Sequence, residues 1–299
     1  MSKTTKWVLG LIAAFVALFS LFLFAFVSFI FGEAEDESDS TYGAKVAIVV
    51  LNEPIYSSEN IVRQFKKYRE NKSVKAIVFR VESPGGGVSA SQEIYEEVKK
   101  TRDSGKPVVV SMGAVAASGG YYVACGADKI VANPGTLTGS IGVIFQFLHV
   151  NELMKKIGVD QSTFKSGKFK DIGSPFRKTT EEERAYLNDL IGDVYRQFVG
   201  VVVRERKLKE AFVKTYADGR VFTGKMAYEL GFVDTLGTYE DAIKIAAKMG
   251  GISGKPKTVR EYKRTPFLDR MLGETASKLA GIKEEFFDQP VLQYKYQPY

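Results

Sequence analysis

The sequence predicts an α/β fold with a mostly parallel β-sheet. From Lys45 onward, short apolar runs alternate with amphipathic stretches, for example AKVAIVVLNEPI followed by NIVRQFKKYREN. Three or more strand–helix units in series are typical of this class. The chain has 299 residues, of which 45% are hydrophobic. That content is enough to bury a substantial core.

A long apolar run near the N-terminus predicts a membrane anchor. Residues 7–31 carry no charge, and about 20 apolar residues suffice to cross a bilayer. Lys3 and Lys6 precede the run, and five acidic residues follow it. Since positive residues favour the cytoplasmic side, we expect a single-pass protein of the cell membrane. A cleaved signal peptide is the alternative interpretation, but its apolar region is usually about 7–15 residues long.

This interpretation divides the chain into four parts. Residues 1–6 form a cytoplasmic tail, 7–31 one transmembrane helix and 32–43 an acidic linker. Residues 44–299 form an extracytoplasmic domain, whose C-terminal tail is expected to be flexible or an interaction arm.

The body beyond the linker is basic. The whole chain has a net charge of +7, and the part from Thr41 keeps 40 of the 42 basic and 30 of the 35 acidic residues, about +10. A basic surface can contact anionic lipid or nucleic acid. The aromatic–basic interleaving of nucleic-acid binders is missing from the sequence, so we expect membrane lipid and no nucleic acid as a partner. One His and one Cys argue against zinc, and no metal or cofactor is expected.

The predicted elements follow one another in order. Strands are expected at 44–55, 74–84, 107–113, 129–134 and 136–144, the last with a glycine bend. Helices are expected at 60–71, 90–105, 118–128, 151–158, 225–232 and 239–250. A longer helix should open at Thr180, where the spacing to Glu183 is that of a capping box, and should run to about Lys207.

A serine at a strand-to-helix corner is the first candidate for chemistry. The apolar strand at 108–110 leads through small residues to Ser118-Gly119-Gly120 and an expected helix. The free N–H groups at a helix start favour negative charge, as an acyl-transfer oxyanion requires. A tight turn packed with small residues is the alternative interpretation. Cys125, inside the expected helix, is interpreted as a small buried residue.

The base that would activate such a serine is not obvious. The one histidine, His149, lies in an apolar run and is interpreted as a partly buried structural residue. Lysine is the recognised substitute. The segment 165–170 carries three lysines at positions 165, 168 and 170. They are either a solvated surface or the source of a general base, and activity would then rise with pH.

Two further segments are candidates for supporting roles. SPGGG at 83–87 lacks the Gly-Lys-Ser/Thr of a phosphate loop, so a glycine N–H that helps bind an oxyanion is the better interpretation, with the Gly119 N–H as second donor. An ordinary turn is the alternative. Ser140 is either a turn residue or a partner that holds a lysine in place.

Three stretches resemble a known family. They are SPGGGV, SMGAVAASGGYYVACGADKIVANPGTLTGSIGVI and KSGKFKDIGSPFRKTTEEE. They are similar to the signal peptide peptidase SppA family of membrane-anchored serine proteases, over roughly Lys45 to Leu236. The resemblance implies a crotonase- or ClpP-like fold with repeated β-β-α units.

The resemblance also implies roles for individual residues. Ser118 would be the nucleophile, Lys170 the general base and Ser140 the residue that orients the lysine. The Gly119 N–H and one glycine of the 85–87 run would form the oxyanion hole, either Gly85 or Gly86, with Gly86 preferred.

Substrates and assembly are implied as well. Substrates would be remnant signal peptides and other extended peptides near the membrane. The chain would form a homo-oligomeric ring in which adjacent protomers share each active site. Two other functions stay open: a catalytically inactive ring-forming membrane scaffold, and a crotonase-like acyl-CoA enzyme.

Overall fold

The computed structural model describes Trp7, Ile12 and residues 15–23, 43–261 and 293–296. Contacts divide the chain into two units, one made of Met1–Thr41 and Glu261–Asp288 and the other of Tyr42–Arg260 and Gln289–Tyr299. In the first unit, the described residues before position 24 are helical and exposed. In the part of the chain that the structure describes, no helix combines the length and apolar character needed to span a membrane. The remainder of the predicted anchor, the predicted cytoplasmic tail and nearly all of the acidic linker lie outside the described residues.

The second unit is an α/β body built on an eight-stranded sheet. Its strands are β1 (Lys45–Leu51), β2 (Val74–Ser83), β4 (Val108–Ala117), β5 (Lys129–Ala132), β6 (Leu137–Gly139), β7 (Val221–Thr223), β8 (Thr235–Leu236) and β9 (Lys257–Arg260). The main path runs β7-β6-β4-β2-β1-β9, with β5 on β4 and β8 on β5. Only the β6–β7 pair of this sheet is antiparallel. A separate two-stranded sheet pairs β3 (Gly85–Gly87) with β10 (Gln293–Lys295).

Eight helices lie in the described part of the body. They are α1 (Glu59–Glu70), α2 (Val88–Asp103), α3 (Gly119–Ala124), α4 (Asn151–Lys156), α5 (Glu181–Arg206), α6 (Glu210–Tyr216), α7 (Gly224–Glu229) and α8 (Tyr239–Met249). The predicted mostly parallel α/β class is confirmed. The order β2-β3-α2 and the order β5-β6-α4 are the two β-β-α units of the body.

The central strands are buried on both faces. Along β1, Val46 and Ile48 pack with α8, whereas Ala47 and Val49 belong to the larger core on the opposite face. Successive side chains of a strand point to opposite faces, so a strand covered on both sides is apolar at every position. This explains the continuous apolar runs in the sequence.

The capping box at the start of α5 is present as predicted. The Thr180 Oγ1 accepts from the Glu183 N–H at 3.2 Å, and the Glu183 carboxylate accepts from the Thr180 N–H at 2.9 Å. Two neighbouring elements are shorter than predicted. The helix after Ser118 ends at Ala124, and the strand expected over 136–144 ends at Gly139. Gly139 and Ser140 both have positive φ (79° and 50°), and the Ser140 N–H donates to the Arg220 carbonyl, so the chain leaves the sheet there.

The described parts of the predicted tail are strands. β9 pairs in parallel with β1, and β10 pairs antiparallel with β3. Residues 262–292 and 297–299 lie outside the described residues.

Candidate active site

Ser118, Ser140 and the glycine run, but not Lys170, follow the ends of neighbouring strands at one edge of the sheet. Parallel strands β2, β4 and β6 end at Ser83, Ala117 and Gly139, and the glycine strand β3, Ser118 and Ser140 follow directly. Strands β4 and β6 end in register, with Ala117 opposite Gly139. The Ser118 N–H donates to the Gly139 carbonyl at 2.8 Å. Ligands in such sheets bind at the carboxyl ends of the strands.

Ser118 is held in a conformation that few serines adopt. Its φ is 53° and its ψ is −115°, a backbone region that costs about 1–3 kcal/mol for a non-glycine residue. Its carbonyl accepts from the Tyr122 N–H at 2.8 Å in the first turn of α3. The side chain does not cap the helix, and among the described residues the Ser118 hydroxyl has no hydrogen-bond partner. The turn therefore presents an uncommitted hydroxyl at the start of a helix, on a residue that is 1% exposed.

The glycines beside Ser118 leave no room for side chains. A Cβ added to Gly119 would lie 3.1 Å from both the Gly85 Cα and the Gly86 nitrogen. The Gly119 N–H opens α3 and so has no partner inside the helix. The Gly85 N–H donates to the Ser83 Oγ at 3.2 Å, a contact that sequence reasoning missed. The backbones of Gly85, Gly86 and Gly119 thus meet around Ser118.

Ser140 lies beside this corner, whereas Lys170 lies in an exposed turn and makes no hydrogen bond with Ser118. Ser140 is buried, with 7% exposure. Lys170 lies in an exposed turn, where its N–H donates to the Gly167 carbonyl. Within one copy of the chain, the side chains of Ser118 and Lys170 make no hydrogen bond with each other.

The turn that carries Lys170 is fixed by an ionic cluster around Arg177. The guanidinium donates from Nε to the Asp171 carboxylate at 2.8 Å and from Nη1 to the Glu183 carboxylate at 2.8 Å. Lys165 also pairs with Asp171, at 2.6 Å. The sequence analysis did not predict this cluster. Acidic residues six positions before and after Arg177 could have indicated that the arginine pairs with both.

The cluster shifts the titration of both acids. Hydrogen bonds from Arg177 and Lys165 hold the pKa of Asp171 well below its usual range. The Arg177 guanidinium lowers the pKa of Glu183 to about 2. Both carboxylates therefore stay charged at neutral pH and tie the segment 165–177 to the start of α5.

The three lysines of this segment differ in their partners. Lys165 binds Asp171, and Lys168 binds Glu182 and lies over the Phe169 ring. Among the described residues, the Lys170 ammonium forms no ion pair. It is the lysine of the segment left available for another partner.

His149 and Cys125 take no part in the site. His149 is exposed and contacts the Thr179 hydroxyl at 3.3 Å, so the expected partial burial was wrong. Cys125 is buried as predicted, and burial raises the pKa of its thiol to about 12, which keeps the thiol neutral and unreactive.

A cavity of about 590 Å³ lies next to Ser140. Its walls come from the segment 142–146, from α5 and from Gly219, and Lys295 and Tyr296 of the C-terminal segment line it too. That volume falls in the usual range for ligand sites. A larger groove of about 910 Å³ lies between α1 and α2, is lined mainly by Lys and Glu, and contains none of the predicted site residues.

Two peptidase family models match this chain. The model for Peptidase family S49 covers residues 100–253 and thus spans Ser118, Ser140 and Lys170. The model for Clp protease covers residues 35–136 and thus includes the glycine strand and Ser118. This second match supports the ClpP-like part of the predicted fold.

Relatives along most of the chain carry peptidase names. A protein of Enterococcus faecium named as a signal peptide peptidase SppA is 39% identical over 79% of this chain and 69% of its own length. A protein of Synechocystis sp. named as a protease is 45% identical over 70% of this chain and 75% of its own. Protease 4 of Salmonella typhi is 37% identical over 84% of this chain but only 42% of its own length. Among solved structures, a ClpP1 variant of Listeria monocytogenes aligns with a TM-score of 0.46 at 16% identity, over 66% of this chain and 94% of that one.

Taken together, the α/β fold, the serine at the strand-to-helix corner and the matches to peptidase families define the class of protein. It is a hydrolase, a peptidase of the serine class. The chain belongs to peptidase family S49. Its resemblance to proteins named SppA and Protease 4 is confirmed.

Proposed function

We propose that the chain is a membrane-anchored serine endopeptidase that cuts extended peptides, remnant signal peptides among them, with a Ser118–Lys170 dyad. The observation that carries the proposal is the strained Ser118 turn, which puts a free hydroxyl against glycine backbones at the start of α3. The name of the Enterococcus faecium relative supports the substrate class. The apolar run at 7–31 supports the anchor.

The reaction follows from the roles of these groups. Neutral Lys170 accepts the hydroxyl proton while the Ser118 Oγ attacks the carbonyl carbon of the scissile peptide. The tetrahedral oxyanion accepts hydrogen bonds from the Gly119 N–H and from a glycine N–H of the 85–87 run. Collapse breaks the C–N bond, and the lysine returns its proton to the leaving amine. Water, deprotonated by the same lysine, then hydrolyses the acyl-enzyme.

Lys170 would come from a neighbouring copy of the chain. Lys170 is exposed and, within the described ranges of one chain, forms no ion pair, whereas Ser118 is buried and the two make no hydrogen bond. A ring in which each protomer offers its lysine turn to the next would complete every site, with Ser140 orienting the incoming ammonium.

Labelling by a fluorophosphonate or a peptide aldehyde tests the proposal on the full chain in detergent. Wild type is compared with Ser118→Ala and Lys170→Ala, and Lys168→Ala serves as the matched control because Lys168 already has an acidic partner. We expect wild type and the control to label and the other two variants to stay unlabelled. Labelling of Lys170→Ala at the wild-type rate would assign the base to another residue. Absence of labelling in all four proteins would contradict catalysis.

A further inference from the structure

The amino-terminal ends of the parallel strands form a second edge of the sheet, at the end opposite to Ser118. Lys45 of β1 lies in register with Val74 of β2 on one side and with Lys257 of β9 on the other. Gly43, the first described residue of the body, lies two positions before Lys45. The chain therefore enters the body at this amino-terminal edge.

Five exposed lysines surround the point of entry. Lys72 and Lys75 flank the start of β2, Lys255 and Lys257 lie at the start of β9, and Lys248 lies in the last turn of α8. We call these five residues the basic edge. Within the part of the chain that the structure describes, none of their ammonium groups forms an ion pair or a hydrogen bond. Charges of one sign that lack partners leave a positive potential at this end of the sheet.

A cavity of about 590 Å³ opens beside Lys72 and Lys75. Arg69 and Lys106 line it as well, so four cationic side chains surround it. Glu70 is the only acidic side chain among the described residues that line the cavity. The cavity therefore carries an excess of positive charge and has room for a small anionic group.

The crowding of positive charge affects the titration of Lys106. Its ammonium donates to three carbonyls at the end of α1. Burial, followed by the positive charges of Lys75 and Arg69, lowers the pKa of Lys106 to about 8. Like charges close together disfavour their charged forms, so an anion placed among these cations would relieve their repulsion.

A membrane surface with anionic headgroups fits the basic edge in charge and in position. Each lysine near such a surface adds to the attraction. Met249, which also lines the cavity and is 39% exposed, adds an apolar side chain of the kind that enters the headgroup region. If residues 7–31 cross the membrane as proposed, the linker 32–43 spans at most about 40 Å when fully extended. The basic edge then lies close to the lipid, because β1 begins two residues after the linker.

We propose that the basic edge is a docking surface for anionic lipid headgroups, and that the cavity beside Lys72 and Lys75 receives a headgroup phosphate. This inference rests on the proposed membrane anchor and is independent of the Ser118–Lys170 chemistry. The anchor holds the body near the membrane, and the basic edge determines which end of the sheet faces the lipid. Anionic membranes thus orient the body, whereas neutral membranes leave it free to turn on its linker.

The test measures how fast each lysine of the full-length protein is acetylated in lipid nanodiscs. An uncharged amine-acetylating reagent modifies accessible lysines, and mass spectrometry gives the rate at each position. Discs of phosphatidylcholine are compared with discs that also contain phosphatidylglycerol. Lys155 and Lys156 serve as internal controls, because both are exposed on α4, which follows the carboxyl end of β6.

We expect the lysines of the basic edge to react at least about tenfold more slowly in the discs with phosphatidylglycerol, because several lysines add their attraction. Lys155 and Lys156 should react at the same rate in both kinds of disc. High salt should remove the difference at the basic edge, since exposed charges are screened.

A double substitution tests the contribution of single residues to the surface. In Lys72→Gln/Lys75→Gln, the protection of Lys255 and Lys257 by phosphatidylglycerol should fall at least about fivefold, because two charges are lost. The matched control is a double substitution to Gln at positions 155 and 156, which makes the same change in net charge and should leave that protection unchanged. Equal protection in the two double variants would remove the cavity from the docking surface.

Equal rates at the basic edge in both kinds of disc would overturn the docking surface alone, since the anchor still holds the protein in both. If those equal rates rise with salt, the acidic linker covers the basic edge instead of lipid. Inorganic phosphate that slows the same lysines in phosphatidylcholine discs as strongly as phosphatidylglycerol does would assign the cavity to a soluble anion and overturn lipid docking. Protein that enters neither kind of disc would contradict the anchor and the docking surface together, and labelling of Ser118 would still test catalysis separately.

Discussion

The geometry of the corner at Ser118 depends on Gly85, a neighbour that has no side chain. The backbone of Gly85 has φ +97° and lies between the Tyr294 carbonyl and the Gly119 nitrogen. Any L side chain there is strained by the backbone conformation and has no space. The geometry around Ser118, the proposed nucleophile, is therefore sensitive to a single methyl group.

Gly85→Ala is expected to abolish labelling of Ser118, with a loss of about 100-fold or more, the size of effect seen when one oxyanion donor is removed. The rate of fluorophosphonate labelling measures it. Gly135→Ala is the control, because a Cβ there meets nothing within 4 Å and should leave the rate unchanged. A Gly85→Ala protein that labels at the wild-type rate would show that the close approach of these backbones is unimportant.

At the scale of elements, the C-terminal end of α1 is capped by a lysine from another part of the chain. The Lys106 ammonium donates to the carbonyls of Tyr68, Arg69 and Asn71, at 2.6, 2.9 and 2.8 Å. The last carbonyls of a helix have no partner within it, and a cation there is also favoured by the helix dipole.

Lys106→Met should lower the free energy of unfolding by about 1–3 kcal/mol, because three part-buried carbonyls lose their donor. Urea denaturation of the full chain measures the change. Lys99→Met removes only an exposed pair with Asp103 and should cost less than about 0.5 kcal/mol. Equal effects of the two substitutions would refute the capping role of Lys106.

The segment 165–177, which carries Lys170, is expected to become less stably folded in acid. The pKa of Glu183 is lowered in the folded state, from 4.5 to about 2, so its ion pair stabilises fully above about pH 4.5 and is lost as the pH falls towards 2. The lowered pKa of Asp171 acts in the same direction. Hydrogen exchange of residues 165–177 should therefore quicken over this range, and Glu183→Gln, which cannot titrate, should flatten the dependence. A profile unaffected by that substitution would contradict the role of the cluster.

Local patterns in the sequence predicted the helices and strands well, whereas contacts between residues far apart in the chain could not be predicted from it. The Thr180 capping box depends on residues three positions apart, so its pattern is visible in the sequence. The early end of β6 depends on the Arg220 carbonyl, which accepts from the Ser140 N–H across 80 positions. The pairing of Tyr294 with Gly86 joins residues that are still further apart in the chain. No periodic pattern in the sequence predicts this pairing. The corner at Ser118 was found because strand, glycines and helix are contiguous.

For the whole molecule, the proposed sharing of Ser118 and Lys170 between neighbouring copies would make catalysis a property of the assembly. The dyad would form only where the serine of one protomer meets the lysine of the next. Such head-to-tail contacts generate a closed ring when the rotation between neighbours closes on itself, and an open filament when it does not.

Co-expression of Ser118→Ala with Lys170→Ala should therefore restore activity that neither variant has alone. In random mixed rings, about a quarter of the sites would combine an intact serine with an intact lysine. Cleavage of a fluorogenic peptide by the purified mixture measures this fraction. A mixture as inactive as its components would place both residues of the dyad in one chain.

The parallel pairing of β1 with β9 affects how the body folds. Lys45 of β1 pairs with Lys257 of β9, which lies more than 200 positions later in the chain. Strands β2 and β4, on the other side of β1, follow it closely in the sequence. Contacts between distant positions form slowly because the intervening loop must be closed first. During synthesis β1 therefore remains an open sheet edge until residues 257–260 have emerged. Open edges invite pairing with other chains, so truncation before residue 257 is expected to yield aggregation-prone protein.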